Sequence, residues 1–389
     1  MDPADLDRID LASLRRAGGL KWSLYPDAIG AFVAESDFGT APPVTAALRA
    51  AVDASAFGYL PAAVSDAMSA AYAGWSADRY GWTVDPADVR PVADVVTALR
   101  LVLTRFSRPG SAVVVPTPAY MPFLTVPGEL GREVVQVPLL PGGRHDLAAI
   151  DAAFAAGAGV LVLCTPHNPG GRVLTAAEML DVAAVVERHG GRVFADEIHA
   201  PLVYPGHPHV PYASLSPVTA GHTLTATSAS KAWNLPGLKC AQVVLSNDAD
   251  RAAWEEVKLA AEHGASTLGV LATAAAYAEG GPWLDGLLDH LDGTRTLLAE
   301  LVAERLPGVA YTPPEGTYLA WLDFGFPEPA AYLLAKAGVA LTEGARCGEV
   351  GRTCARLTFA TPRPILREAV DRIAATLPRG RGRGRRSPS

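Results

Sequence analysis

Thr225-Ala-Thr-Ser-Ala-Ser-Lys231-Ala-Trp-Asn-Leu-Pro-Gly-Leu-Lys239 sets one lysine among small, hydroxyl-bearing residues and a second lysine eight positions on. Hydroxyls and backbone N–H groups in a tight turn suit a bound phosphate, and an amine held beside them suits a Schiff base. Two upstream stretches share a related form, an apolar run ended by polar groups. Gly159-Val-Leu-Val-Leu-Cys164 leads into Thr165-Pro-His167-Asn168-Pro-Gly-Gly171, and Arg192-Val-Phe-Ala195 leads into Asp196-Glu197-Ile-His199. Each run has strand length, so each polar group is expected at a strand's C-terminal end, where open α/β sheets bind ligands.

Outward from these motifs, short apolar runs alternate with amphipathic ones, the pattern of a mostly parallel sheet with helices on both faces. Ala112–Val115, Gly159–Cys164, Arg192–Ala195, Thr223–Ala226 and Gln242–Leu245 read as buried strands. Thr175-Ala-Ala-Glu178 is a capping box opening a helix that stops at Gly190. Helices are also expected from Pro43 to about Ala56 and from Ser65 toward Gly81. The first forty residues read as an irregular arm. From Trp283 the pattern changes to a long helix, then Val309–Tyr311, Glu315–Asp323, Val339–Thr342 and Cys354–Phe359, then a helix after Pro364. The expected division is an arm (1–42) belonging to the smaller domain, a large domain (43–282), a small C-terminal α+β domain (283–378) and a basic, low-complexity tail (379–389).

Composition narrows the class. The 389 residues suggest about two domains, and 49% apolar with 19% charged residues describes a globular enzyme with ample core. A net charge of −7 argues against nucleic acid as the main partner. Cys164, Cys240, Cys347 and Cys354 form no CxxC pair, so reduced thiols are expected. The acidic N-terminus has no apolar signal-peptide core and no stretch long enough to span a bilayer, which gives a cytoplasmic expectation.

These motifs match the needs of pyridoxal 5'-phosphate (PLP), a cofactor that carries its own electron sink while the protein supplies orientation and electrostatics. Lys231 is the candidate for covalent attachment and for proton transfer. Asp196 is suited to the pyridine nitrogen, which a carboxylate keeps protonated; otherwise Asp196-Glu197 is a solvated acidic pair or a metal ligand. Asn168 can donate to the phenolic oxygen, although Asn-Pro-Gly alone is an ordinary turn. Ser228 and Ser230 read as phosphate ligands, with Lys239 as counter-charge. The segment Ala93-Asp94-Val95-Val96 offers a helix N-terminus as a further phosphate donor, Asp94 being equally an ordinary N-cap. His207-Pro-His209 has ligand-like spacing, but no third ligand stands nearby and the prolines make it a loop, so no metal is expected.

In these strings the chain resembles a fold-type I PLP enzyme of the aminotransferase class I/II superfamily. More narrowly, it resembles the bacterial cystathionine β-lyase (C–S lyase) branch related to the maltose-regulon modulator. The branch resemblance rests on Ala195–His207 with Val210–Leu215, on Thr227–Cys240, on Phe57-Gly-Tyr59, on Glu315–Asp323 and on Arg356–Pro362, and it covers the chain from Lys21 to about Leu377. It implies an α/β PLP-transferase fold and a homodimer with shared active sites. It further implies His199 near the phenolic oxygen, Tyr120 stacked on the ring, Tyr59 reaching the neighbouring subunit's phosphate, and Arg356 on the substrate α-carboxylate. Tyr120 as a packed aromatic and Arg356 in an ordinary ion pair remain alternatives. Ala34-Glu35-Ser-Asp37-Phe38 stands where relatives carry Ala-Asp-Met-Asp-Phe, and Ala93-Asp-Val-Val96 stands where many have a Gly before Val-Val. The implied reaction is α,β-elimination from an S-substituted L-cysteine such as L-cystathionine. An aminotransferase shares its early steps, and a PLP-binding regulatory protein is a third reading; fold and cofactor do not choose among them.

Overall fold

The structure, a computed structural model, describes residues 3–377, so the basic tail lies outside the described residues. Strand β1 (Ile29–Gly30) lies in the N-terminal arm. Strands β2 (Val89–Val92), β3 (Val113–Thr117), β4 (Val134–Pro138), β5 (Val160–Cys164), β6 (Arg192–Asp196), β7 (Thr223–Thr227) and β8 (Ala241–Leu245) form one sheet. Its order is β2-β8-β7-β6-β5-β3-β4, and only β8 runs against the rest.

Strands β3 and β5 are apolar without alternation because both faces are covered, and β7 is buried throughout although threonine takes every second position. Along β5, Val160, Val162 and Cys164 pack on one face, where Leu99, Phe123 and Trp254 come from helices. Leu161 and Leu163 pack on the other, against Ile150, Phe154, Met179 and Val186. The expected capping box is present: Thr175 Oγ1 accepts from Glu178 N, and the Glu178 carboxylate accepts from Thr175 N at 3.0 Å. The fold is thus α/β, with helices on both faces of a mostly parallel sheet.

Strands β9 (Ala310–Tyr311), β10 (Leu319–Asp323), β11 (Val339–Ala340), β12 (Thr342–Glu343) and β13 (Cys354–Thr358) follow the 25-residue helix Gly281–Arg305. Four of them form an antiparallel sheet in the order β12-β13-β10-β9, while β11 pairs in parallel with β1. The single strand expected over Val339–Thr342 is therefore two. The chain leaves the arm's partner at Leu341 and joins β13 at Thr342, so one apolar run serves two sheets.

The arm is more ordered than its composition suggests. It carries helices Leu11–Ala17 and Leu20–Ser23, the first capped by Asp10, whose carboxylate accepts from Ser13 N at 2.7 Å. Lys21, 1% exposed, pairs with Asp37 at 2.8 Å, and its ammonium also donates to Ala360 O at 3.3 Å. Trp22 Nε1 donates to the other Asp37 oxygen at 2.8 Å. The buried Lys21 ammonium thereby ties the arm helix both to Asp37 and to the loop after β13. Among the described residues, no helix is long and apolar enough to cross a membrane.

Candidate active site

Because β2, β3, β5, β6 and β7 run in one direction, their C-terminal ends share one edge of the sheet. The opposed β8 brings its N-terminal end, with Lys239, to that same edge. A cavity of about 710 Å³ opens there. Every expected site residue lines it except Tyr59.

Lys231 and Asp196 sit on neighbouring strand ends. The Lys231 ammonium donates to the Ala34 carbonyl at 3.1 Å, and the Tyr318 hydroxyl donates to the same oxygen at 3.1 Å. Burial, and then the Arg356 charge, push the amine down to about 8. Asp196 Oδ1 accepts from Ile198 N at 3.1 Å, and the Cys164 thiol lies 3.6 Å from Oδ2. Burial holds that carboxyl up at about 6. An amine eased toward neutrality and an acid poised for a cationic partner therefore face one cavity.

Arg356 rises from β13, fully buried, with no carboxylate paired to it among the described residues. Its nitrogens donate instead to Asn168 Oδ1 at 3.0 Å, Phe32 O at 2.8 Å and Thr342 Oγ1 at 3.2 Å, and Nε has no partner. The ordinary ion pair held open as an alternative is absent. A buried cation without a counter-ion is costly, and an incoming carboxylate relieves that cost. Asn168 is thus partly engaged by Arg356 through its carbonyl oxygen, which leaves its amide N–H groups to donate elsewhere.

His199 is buried beside Tyr318, ring centroids 6.3 Å apart and edge-on, and neither ring nitrogen finds a partner. Burial, then the Lys231 and Arg356 charges, hold the imidazole neutral, well below its usual value. Tyr120 stands at the N-terminal boundary of the helix Met121–Glu129 without a side-chain capping bond, and its ring stands edge-on to Phe123 at 5.4 Å.

The opposite end of the cavity is rich in donors. Asp94 caps the helix Val95–Arg105, accepting from Thr97 N at 2.8 Å, so the N–H groups of Val95 and Val96 have no intrahelical acceptor. The Ser228 hydroxyl donates to Cys240 O at 2.7 Å and accepts from Ser230 N at 3.0 Å. Lys239, in the left-handed region at φ 53°, pairs with Asp94 at 3.1 Å, so it is not a free counter-charge in this state. Tyr59 is 87% exposed, packs near His263 and does not reach this chain's cavity.

Some partners were invisible in the sequence motifs. The carbonyls of Phe32 and Ala34 carry no side-chain signal, and Thr342 is an unremarkable strand residue. Tyr318 stood in a quoted string without a role. The His207-Pro-His209 pair separates: His209 bonds the buried Glu197 at 3.2 Å, while His207 lies 3.9 Å from Glu315.

These residues fit PLP on four observations. The orphaned nitrogens of His199 and Arg356 await partners, the Asp196 carboxyl is elevated, the Lys231 amine is depressed, and a helix N-terminus opens at the donor-rich end. The site and fold define a class of enzymes that handle amino acids. The chain belongs to the aminotransferase class I and II family, whose pattern it matches over residues 31–373. It is 40% identical over 373 residues to cystathionine beta-lyase of Corynebacterium glutamicum, covering 95% of this chain and 99% of that one. A solved putative PLP-dependent beta-cystathionase from Corynebacterium diphtheriae superposes with a TM-score of 0.91 at 38% identity, covering 94% and 97%. Cystalysin from Treponema denticola, solved with a pyridoxal 5'-phosphate cofactor, superposes with a TM-score of 0.87 at 27% identity, covering 93% and 96%.

Proposed function

We propose that this chain is a PLP-dependent carbon–sulfur β-lyase that cleaves L-cystathionine or another S-substituted L-cysteine to pyruvate, ammonia and a thiol. The observation that carries the reading is Arg356, a buried guanidinium without a carboxylate partner, in one cavity with Lys231, Asp196 and Asn168, in a chain 40% identical to a cystathionine beta-lyase. When bound, PLP supplies the electron sink that makes the substrate's Cα–H acidic.

The chain's own residues do the rest. Lys231 would hold the cofactor covalently, and its amine, eased to about 8, is the base suited to take the substrate's Cα proton. Asp196, its carboxyl held up at about 6 by burial, would pair with the ring nitrogen and keep it cationic. Asn168 donates to the phenolic oxygen, with His199 beside it. Tyr120, which lines the cavity, would stack on the ring. Val95 and Val96 N–H, Ser228, Ser230 and Lys239 form the phosphate cup, the last after release from Asp94. Arg356 clamps the substrate α-carboxylate through its fork. The Cβ–S bond then breaks, the thiol leaves with a proton, and water releases ammonia and pyruvate from the remaining three-carbon fragment.

The exposed Tyr59 is assigned to a partner's phosphate, which makes a homodimer the working unit. Residues 43–282 form the cofactor domain and 283–378, with the arm 1–42, the smaller one. A cytoplasmic setting accords with four buried, unpaired cysteines.

The test is turnover of L-cystathionine by the PLP-loaded enzyme without an amino acceptor. Stoichiometric pyruvate and thiol over many turnovers are expected. A single-turnover absorbance change toward pyridoxamine phosphate, without thiol, overturns elimination in favour of transamination.

A further inference from the structure

The residues assigned above hold the amino-acid end of a substrate and the cofactor, but they leave the outer part of the cavity unexplained. Its wall there is apolar, with Leu24 and Tyr25 from the arm, Leu334 from the helix Pro329–Ala337, and Leu341. Three charged side chains interrupt it: the exposed Glu328 at the N-cap of that helix, Arg346 and Glu343. Arg346 lies on the short turn Gly344–Cys347, four residues beyond the Thr342 that bonds Arg356. It is exposed yet lines the cavity, and its side chain has no hydrogen bond or ion pair with any described residue. Glu343 also lines the cavity. One oxygen accepts from Ala330 N at 3.1 Å and Ala331 N at 3.2 Å, capping that helix, while the other is buried without a partner.

We propose that this vestibule selects thioethers whose leaving half is itself zwitterionic, with Arg346 receiving its carboxylate and the free Glu343 oxygen its ammonium. The inference rests on the lyase reading and deepens it. The cavity then presents two arginines at two depths, the buried Arg356 for the α-carboxylate and the rim Arg346 for the distal one. An unpaired rim cation on an apolar wall attracts a distal carboxylate, and the unpartnered carboxylate oxygen discriminates by what it leaves unsatisfied when a neutral group arrives.

The test compares three ligands: L-cystathionine, S-(2-carboxyethyl)-L-cysteine, which has the distal carboxylate alone, and S-ethyl-L-cysteine, which has neither charge. Binding is read from absorbance titration of PLP-loaded protein carrying Lys231→Ala, and kcat/KM from the Lys231-intact enzyme. Arg346→Gln is expected to weaken both carboxylated ligands about tenfold, as for a charge-assisted hydrogen bond near solvent, and to move S-ethyl-L-cysteine less than about twofold. Glu343→Gln, whose amide oxygen still caps the helix, is expected to weaken L-cystathionine alone. Equal effects on all three ligands, or none on any, overturn the proposal. Absence of thiol from every ligand refutes the lyase reading instead, while the titrations still decide the vestibule.

Discussion

Asp196→Asn should have opposite effects on the cofactor-free and the loaded protein. Asp196 is 3% exposed, and no cation touches it in the cofactor-free chain. Its carboxyl rises from 3.8 to about 6, mainly through burial, so the folded chain binds this proton more tightly than the unfolded one does. The ionised form therefore costs the folded state roughly 3 kcal/mol above pH 6, and the cost vanishes below about pH 4. Asparagine removes the charge while its amide oxygen keeps the Ile198 N–H bond; what it loses is the weak thiol contact of Cys164. Urea unfolding of both cofactor-free proteins should show the variant more stable by up to about 3 kcal/mol at pH 8 and by about half that at pH 5. With PLP bound the sign reverses: the variant loses the partner of the ring nitrogen, and lyase turnover falls by orders of magnitude. A cofactor-free variant less stable than wild type at pH 8, or a difference independent of pH, would refute burial as the source of the elevated carboxyl.

Two further substitutions probe the remaining framework. Arg356→Lys keeps the charge but not the fork that reaches Asn168, Phe32 and Thr342. KM for L-cystathionine should rise at least about tenfold, as expected where bidentate geometry is lost, and steady-state kinetics with an unchanged KM would remove Arg356 from the clamp. Asp37→Asn leaves the buried Lys21 ammonium without its counter-ion, a loss of about 3–5 kcal/mol in urea unfolding. A loss below about 1 kcal/mol would mean that the Ala360 and Glu35 carbonyls satisfy Lys21 without a counter-ion.

What the sequence made legible follows from which physical signals are local. Strands β3, β5 and β6 announce themselves because two-sided burial leaves apolar runs of three to five residues, while the buried β7 carries threonines and β8 Gln242; Thr175–Glu178 is legible because a capping box is a four-residue device. The motifs at the ends of β5, β6 and β7 could be placed at one edge because parallel strands put their C-terminal ends together. Strand β2 was hidden, since Val89-Arg-Pro-Val92 is short and interrupted by proline; an edge strand tolerates that because only β8 pairs with it. Order in the arm was hidden for another reason. Its helices are one or two turns long, and what fixes them is Lys21 on Asp37 and β1 on β11, contacts across more than three hundred residues in the second case. The same distance rule governs the site. Side chains that carry chemistry could be named one by one, but the acceptors that park them, Ala34 O for Lys231 and Phe32 O for Arg356, are backbone atoms of that arm. No residue type encodes a carbonyl's position. The departure at Glu35, next to the Ala34 carbonyl, acts on Lys231 through its charge, which favours the ammonium form of that lysine. A Glu35 substitution that leaves Lys21–Asp37 intact should therefore shift the lysine's titration only modestly, and one that frees the arm should release Lys231 from Ala34 altogether.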